Sequence, residues 1–306
     1  MRPVPGPHCL LVTGEKIVSV GRGIDIAHER FGDPEAPAVL LLQGISQQMV
    51  GWHEEFCAEL VARGLQPIRF DNRDIGHSTH LSDAPLPDFA AAMAGDVSSA
   101  TYTLSDMAAD GIGLLDALGL DRGHVVGLSL GGQIAQTMAI EHPDRIRSLT
   151  SISTTTGDPA VGQIRPGTWE NLATSQAASR EEAGDQAVTV LRVVGSPGFP
   201  LDEAEVRARA GDAFERAPQD RDGIVRQAVA TIATGDRTPL LRTLDLPTLV
   251  IHGADDPMVD LSGGRATAAA IPGAELVVFD GMGHNLPKQL WPEVADRIAA
   301  LVHRAG

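Results

Sequence analysis

A serine stands between two glycines in Gly127-Leu128-Ser129-Leu130-Gly131, where an apolar run, HVVGL, gives way to a helix-like run, GGQIAQTMAIEHP, that Pro143 ends. Two chemistries compete for that hydroxyl. An ordinary N-cap turns it back onto its own helix amides. A serine at a tight strand-to-helix turn is instead thrust outward, flanked by small residues because neighbouring chain passes close on both sides. The position after a strand and at a helix start favours the second, which makes Ser129 a candidate nucleophile. The Leu130 N–H at the head of that helix then faces any oxyanion that forms there.

A serine hydroxyl is a weak nucleophile until a base, itself oriented by a third group, lies within hydrogen-bond reach. Ten histidines are present, so position must choose among them. His284 lies in the glycine-rich DGMGHNLP, after the strand-like AELVVF and before the final helix, where a loop can swing imidazole over a sheet edge. The acid is expected after a neighbouring strand, and LVIHGADDPMVD supplies Asp255 and Asp256. Asp256 is preferred, and Asp255 is read as a turn residue. The chain order Ser, Asp, His follows, each at a predicted strand end. The strand that ends SISTTT offers no carboxylate before Asp158. A second oxyanion donor is expected from the loop after AVLLLQG, with Ile45 N–H the choice. His53, His77, His80, His124 and His252 are read as packing or surface residues.

The elements that must position these groups alternate between strand and helix, which predicts an α/β fold with a mostly parallel central sheet flanked by helices. Residues 15–32 read as two short strands around a turn, an antiparallel start. PAVLLLQG is a continuous apolar run, as a strand buried on both faces requires. WHEEFCAELVARGL carries Trp52, Phe56 and Leu60 at helical spacing with Gly64 as a stop. TLSDMAADGIGLLDALGL offers Ser105 as N-cap and Ala108, Ile112, Leu115 and Leu118 on one face. Between about Thr155 and Leu240 the alternation fails, and acidic helix-like segments are joined by turns such as GSPGFP. The expected organisation is a core in two parts, 1–154 and 241–306, with a helical cap over 155–240. Trp169 and Phe199 are the aromatics expected to shape specificity there.

Composition narrows the partners. Hydrophobic residues at 43% and charged residues at 21% fit an ordinary globular chain with a sizeable core. A formal charge of −16 argues against nucleic acid, which needs clustered Lys and Arg to displace counterions. Only two cysteines, Cys9 and Cys57, are present, and neither has metal-ligand spacing, so each reads as a small buried hydrophobe. No apolar run is long enough to cross a bilayer, and the proline-rich N-terminus makes a poor secretion signal, so a cytoplasmic protein is expected.

With these residues assembled, the chain resembles the α/β-hydrolase superfamily, and more closely its serine-esterase branch that includes aclacinomycin methylesterase. The matching pieces are VLLLQG…GW, IRFDNRDIGHST, HVVGLSLGG, PTLVIHGADDPMV and GMGH. The resemblance implies cofactor-free, metal-free hydrolysis of a small-molecule ester by Ser129, His284 and Asp256 under a helical cap. The chain departs from many members in carrying Gln43-Gly44 where they have His-Gly. The stretch from Asp71 to Ser78 is similar to the family's as well and reads as structural, with Asp71 and Arg73 pairing to hold the turn. Serine at position 129 argues against carbon–halogen or epoxide cleavage, which needs a carboxylate nucleophile. Lactone, amide and carbon–carbon bond hydrolysis and peracid formation use the same three groups and stay open. A non-catalytic ligand receptor is the rival from another class, and it has no need of all three.

Overall fold

The computed structural model describes residues 14–168 and 177–306, so Cys9 and Trp169 lie outside the described residues. Strands β1 (Lys16–Ser19) and β2 (Asp25–Arg30) form the antiparallel start. Alternation then sets in through β3 (Ala38–Leu42), α1 (Glu54–Ala62), β4 (Gln66–Phe70), α2 (Phe89–Met93), α3 (Leu104–Ala117), β5 (Gly123–Leu128), α4 (Leu130–Glu141) and β6 (Ile146–Ile152). Three helices follow: α5 (Arg180–Val194), α6 (Glu203–Arg216) and α7 (Arg221–Thr234). A short α8 (Thr238–Leu241) leads to β7 (Thr248–Gly253), α9 (Leu261–Ala270), β8 (Glu275–Phe279) and α10 (Trp291–Arg304). The sheet order is β1-β2-β4-β3-β5-β6-β7-β8, and every neighbouring pair from β4 to β8 is parallel.

Alternate side chains of a strand leave opposite faces, so a fully buried strand must satisfy two cores. Leu40 and Leu42 of β3 join α3, α4 and the end of α9 on one face, while Val39 and Leu41 join α1 and α10 on the other. Each fully buried Leu is worth roughly 1.5–3 kcal/mol. Helix α10 shows the matching amphipathic pattern, with Trp291, Val294, Ala295, Ile298, Leu301 and Val302 buried and Trp291 set edge-on to Phe56 of α1. These two layers clamp the parallel strands and fix where their C-terminal ends emerge, which is where the candidate groups lie.

One local expectation changes, and one helix had none. Helix α3 is entered at Thr103 rather than Ser105: Asp106 accepts hydrogen bonds from both the amide and the hydroxyl of Thr103, and Ser105 instead donates to Glu141. A capping box satisfies more end groups than a lone serine two residues later. Helix α9, with its sequence LSGGRATAAA, has too little apolar contrast around its circumference to stand out from a loop by pattern alone.

Helices α5, α6 and α7 are each capped by a side chain, Ser179, Asp202 and Asp220, that accepts from the amide three residues on. Little apolar surface is buried within α5 and α6, and ion pairs such as Arg207–Asp185 and Arg192–Glu203 cross between them. No described helix is long and apolar enough to cross a membrane.

Candidate active site

Ser129 joins β5 to α4 with φ 54° and ψ −118°, a region that costs a non-glycine residue about 1–3 kcal/mol. Its backbone is pinned from both sides: Ser129 N donates to Ile152 O at 2.9 Å, and Ser129 O accepts from Gly132 N at 2.9 Å and Gln133 N at 3.2 Å. The side chain makes no capping hydrogen bond, so the hydroxyl is not spent on its own helix. The flanking glycines answer to crowding. A Cβ on Gly127 would collide with the Gly131 carbonyl, and one on Gly131 with the carbonyl of Leu42. Gly132 is equally confined, because a Cβ there would lie 2.7 Å from the Thr154 methyl.

The structure brings Ser129, His284 and Asp256 together from three strand ends. His284 Nε2 lies 3.0 Å from Ser129 Oγ, and His284 Nδ1 lies 2.8 Å from Asp256 Oδ2. A carboxylate can only accept, so the proton sits on Nδ1 and Nε2 presents its lone pair to the serine hydroxyl. The other oxygen of Asp256 accepts from the amides of Met258 (2.8 Å) and Val259 (3.0 Å). His252 Nε2 lies 3.7 Å from the same carboxylate but donates to Val259 O, and burial holds its pKa below the ordinary imidazole value. Asp256 therefore faces amides and neutral imidazole. Asp255 sits outside this run, accepting from Gly281 N at 2.9 Å and donating its own amide to Met282 O.

Leu130 opens α4, and a first-turn amide has no acceptor within its own helix. The loop after β3 passes beside it: a Cβ on Gly44 would stand 3.4 Å from Ser129 Cβ. In that loop Gly44 N donates to Gln43 Oε1, Ser46 N to Gln227 Oε1 and Gln47 N to Gly44 O. Among the described residues, Ile45 N–H is the amide of this run left without an acceptor. Gln43, at the position where histidine is common, is buried and spends its carbonyl on the Gly44 amide.

Asp71 and Arg73 do not pair, contrary to expectation. Their side chains are drawn to different elements by partners far away in sequence. Asp71 accepts from Met49 N (2.7 Å), His77 N (3.0 Å) and Arg216 at the end of α6 (2.7 Å). Arg73 meets Asp110 of α3 through two hydrogen bonds of 2.6 and 2.7 Å and stacks on Tyr102. Asp74 accepts from Arg226 of α7 on both oxygens at 2.9 Å and from Tyr102 Oη at 2.8 Å. Asp74, His80 and Asp220 cluster closely enough to suggest a cation, yet Arg226 already answers both carboxylates.

Two other described histidines lie in structural roles. His53 caps α1 by accepting from Glu55 N, and His124 is buried against Ser148 with its pKa lowered to about 4 by burial. Cys57 is buried too, and desolvation pushes its thiol to about 12, so it packs rather than reacts. Phe199 lines an open cleft of about 400 Å³ with Leu201, Arg165, Asp255 and Asn285, beside the His284 loop. Sequence reasoning missed Arg216, Arg226, Gln227 and Ser196, all from the helices between β6 and β7 or their turns. No local spacing marks them, and the one available signal was that buried carboxylates at Asp71 and Asp74 would need cations.

Comparisons with known proteins agree with this fold. The family profile described as the alpha/beta hydrolase fold matches residues 37–288. A rhodomycin D methylesterase of Streptomyces peucetius is 28% identical over 291 residues, covering 89% of this chain and 93% of that protein. A 2-hydroxy-6-oxononadienedioate/2-hydroxy-6-oxononatrienedioate hydrolase of Dechloromonas aromatica (strain RCB) is 31% identical over 172 residues, or 56% of this chain and 59% of its own length. Among solved structures, a hydrolase from Pseudomonas aeruginosa PA01 superposes with a TM-score of 0.67 at 25% identity, covering 96% of this chain and 98% of that one. A thermophilic esterase from Thermogutta terrifontis gives 0.70 at 23% identity, covering 95% and 98%, and shares the fold. With its residues 37–288 matched and its eight-stranded, mostly parallel sheet flanked by helices, the chain belongs to the alpha/beta hydrolase fold family.

Proposed function

We propose that this chain is a serine hydrolase that cleaves a carboxylic ester through an acyl-enzyme on Ser129. The observation that carries the reading is the unbroken hydrogen-bond run Asp256–His284–Ser129, at 2.8 and 3.0 Å, ending on a strained serine at a strand-to-helix turn. His284 Nε2 takes the Ser129 proton as Oγ attacks the ester carbonyl. Asp256 holds the Nδ1–H tautomer and stabilises the imidazolium that forms. The amides of Ile45 and Leu130 donate to the oxyanion, each such donor being worth about 2.7–4 kcal/mol in the barrier. His284 gives its proton to the leaving alcohol, then activates water, which attacks the acyl carbonyl and frees Ser129.

In this reading residues 155–240 cap a core built from 1–154 and 241–306, and the substrate is a small to medium, neutral and apolar ester. A net charge of −16 disfavours anionic esters, and similarity to rhodomycin D methylesterases over 89% of the chain supports a methyl ester.

The test is labelling followed by turnover. A fluorophosphonate is expected to modify Ser129 in the folded protein, and a panel of methyl and longer alkyl esters to be hydrolysed with loss of activity in Ser129→Ala. Folded protein that takes no label on Ser129 overturns the serine-hydrolase reading. Turnover of amides, lactones or vinylogous 1,5-diketones in preference to every ester on the panel would move the substrate class while keeping the nucleophile.

A further inference from the structure

The loop that carries His284 is held from outside its own strand. Gly281–Asn285 lies against the turn that follows α5, and backbone meets backbone there: Gly198 N donates to Gly281 O at 2.9 Å and His284 N to Val194 O at 2.7 Å. The approach demands glycine on both sides. A Cβ on Gly198 would lie 2.6 Å from Gly281 Cα, and one on Gly283 would strike the Gly195 carbonyl. One side chain completes the contact. Ser196 Oγ lies 2.9 Å from Gly283 N and 2.8 Å from Asn285 Oδ1, gripping the residues on either side of His284. The amide can only donate, so the hydroxyl accepts from Gly283 and gives its proton to Asn285.

We infer that Ser196 is a positioning residue for His284, acting on the base through the backbone of its loop. The inference rests on the reading of His284 as the general base. Hydrogen bonds to Asp256 and Ser129 set the direction of the imidazole, but they leave the loop beneath it free to shift. That loop holds two glycines, one of them, Gly281, at φ 75°, and glycine carries the least intrinsic restraint of any residue. A misplacement of about 1 Å at a reacting group costs about 100-fold in rate. To the backbone bonds at Gly281 and His284, Ser196 adds two more, placed one residue before and one residue after the base. The end of α5 is thereby coupled to the base, and lifting it away would loosen His284.

The experiment compares Ser196→Ala, Ser196→Thr and Asn285→Leu with the parent, using Arg304→Ala, exposed at the end of α10, as a control. Ser196→Ala is expected to lower kcat about 10- to 100-fold with KM nearly unchanged, and to slow fluorophosphonate labelling by a similar factor. It should also broaden the low-field proton resonance of the Asp256–His284 hydrogen bond. Ser196→Thr restores most of kcat, and Asn285→Leu, which removes the acceptor of the Ser196 proton, moves the same readouts in the same direction. Should Ser196→Ala fold poorly, Asn285→Leu decides alone. A Ser196→Ala variant with kcat within about twofold of the parent and an unchanged low-field resonance overturns the inference. So does a loss confined to thermal stability. Because the resonance does not depend on turnover, it separates failure here from failure of the hydrolase reading, which would show as full activity in Ser129→Ala.

Discussion

Two fully buried carboxylates stand past strand ends on the same edge of the sheet, Asp74 after β4 and Asp256 after β7, and they keep opposite company. Asp74 meets the guanidinium of Arg226 on both oxygens, and Tyr102 adds a third donor. Asp256 meets two amides and the Nδ1–H of the His284 imidazole. The first has its charge answered by a permanent cation and is locked. The second has its charge solvated by dipoles yet not neutralised, which leaves it able to stabilise a cation that appears only when His284 takes a proton. Burial and hydrogen bonding alone do not tell a bolt from a working acid. The difference is whether the counter-charge is already present.

The sharpest way to break this comparison is to remove each charge and ask which property suffers. Asp256→Asn should lower kcat on an activated ester by about 10⁴-fold while melting changes little, because the tautomer is lost and the fold is not. Asp255→Asn, which touches only the Gly281 amide, should cost far less, and a larger loss there than at Asp256 would reverse the assignment. Asp74→Asn should do the opposite. It leaves the Arg226 guanidinium, 2% exposed, with only the more distant Asp220 carboxylate at 3.5 Å, and is expected to cost about 3–5 kcal/mol in denaturant unfolding. Replacing Asp74 and Arg226 together by apolar residues of similar size should recover most of that loss, whereas the same treatment of Asp256 and His284 would restore no activity.

A smaller effect sharpens the pairing pattern. Arg216→Met, which strips Asp71 of its cation, should destabilise by about 1–3 kcal/mol, and Arg73→Met should be rescued in a double-mutant cycle by a change at Asp110 rather than at Asp71. The smallest effect is pH dependence at His80 and Asp220. Burial disfavours the charged imidazole, but the hydrogen bond to Asp220 outweighs it and raises the His80 pKa above 6.5. Burial likewise works against the Asp220 carboxylate, and the His80 hydrogen bond again prevails and lowers its pKa below 3.8. The His80 contribution is therefore complete below 6.5 and lost as pH rises through its raised folded value. The Asp220 contribution is complete above 3.8 and lost as pH falls through its lowered one. The pair is worth most between these limits, and His80→Gln should flatten stability across the rise to pH 8 by no more than about 1 kcal/mol at a partly exposed site.

The sequence made the parallel core legible because a strand buried on both faces must be largely apolar, as β3 is throughout and β5 and β7 are apart from His124, Thr248 and His252. Ser129 was legible through its glycines, which the close approach of Leu42 and Gly131 demands, and His284 and Asp256 through their places just past strand ends. What stayed hidden was every contact that α5, α6 and α7 make with the site. Gln227 on the Ser46 amide, Ser196 on the Gly283 amide and Arg226 on Asp74 are polar residues of these helices or their turns that look solvent-facing until the fold closes. The Asp71–Arg73 pairing failed for a related reason. Nearness along the chain says little when a turn sends successive side chains to different elements, and a buried charge is satisfied by geometry.

The glycine-on-glycine contact between Gly198 and Gly281 bears on how such enzymes can be recombined. Helices α5–α7 look like a cassette between β6 and β7, inviting exchange for a relative's block to import its specificity. Any block with a bulkier residue at the position of Gly198 would bring a side chain into the backbone beneath the histidine. A chimera would then lose turnover even if its new pocket fitted the new substrate. Grafts should therefore carry the Gly195–Gly198 turn of this chain and take their junctions outside it, leaving the donor to supply only the helices on either side.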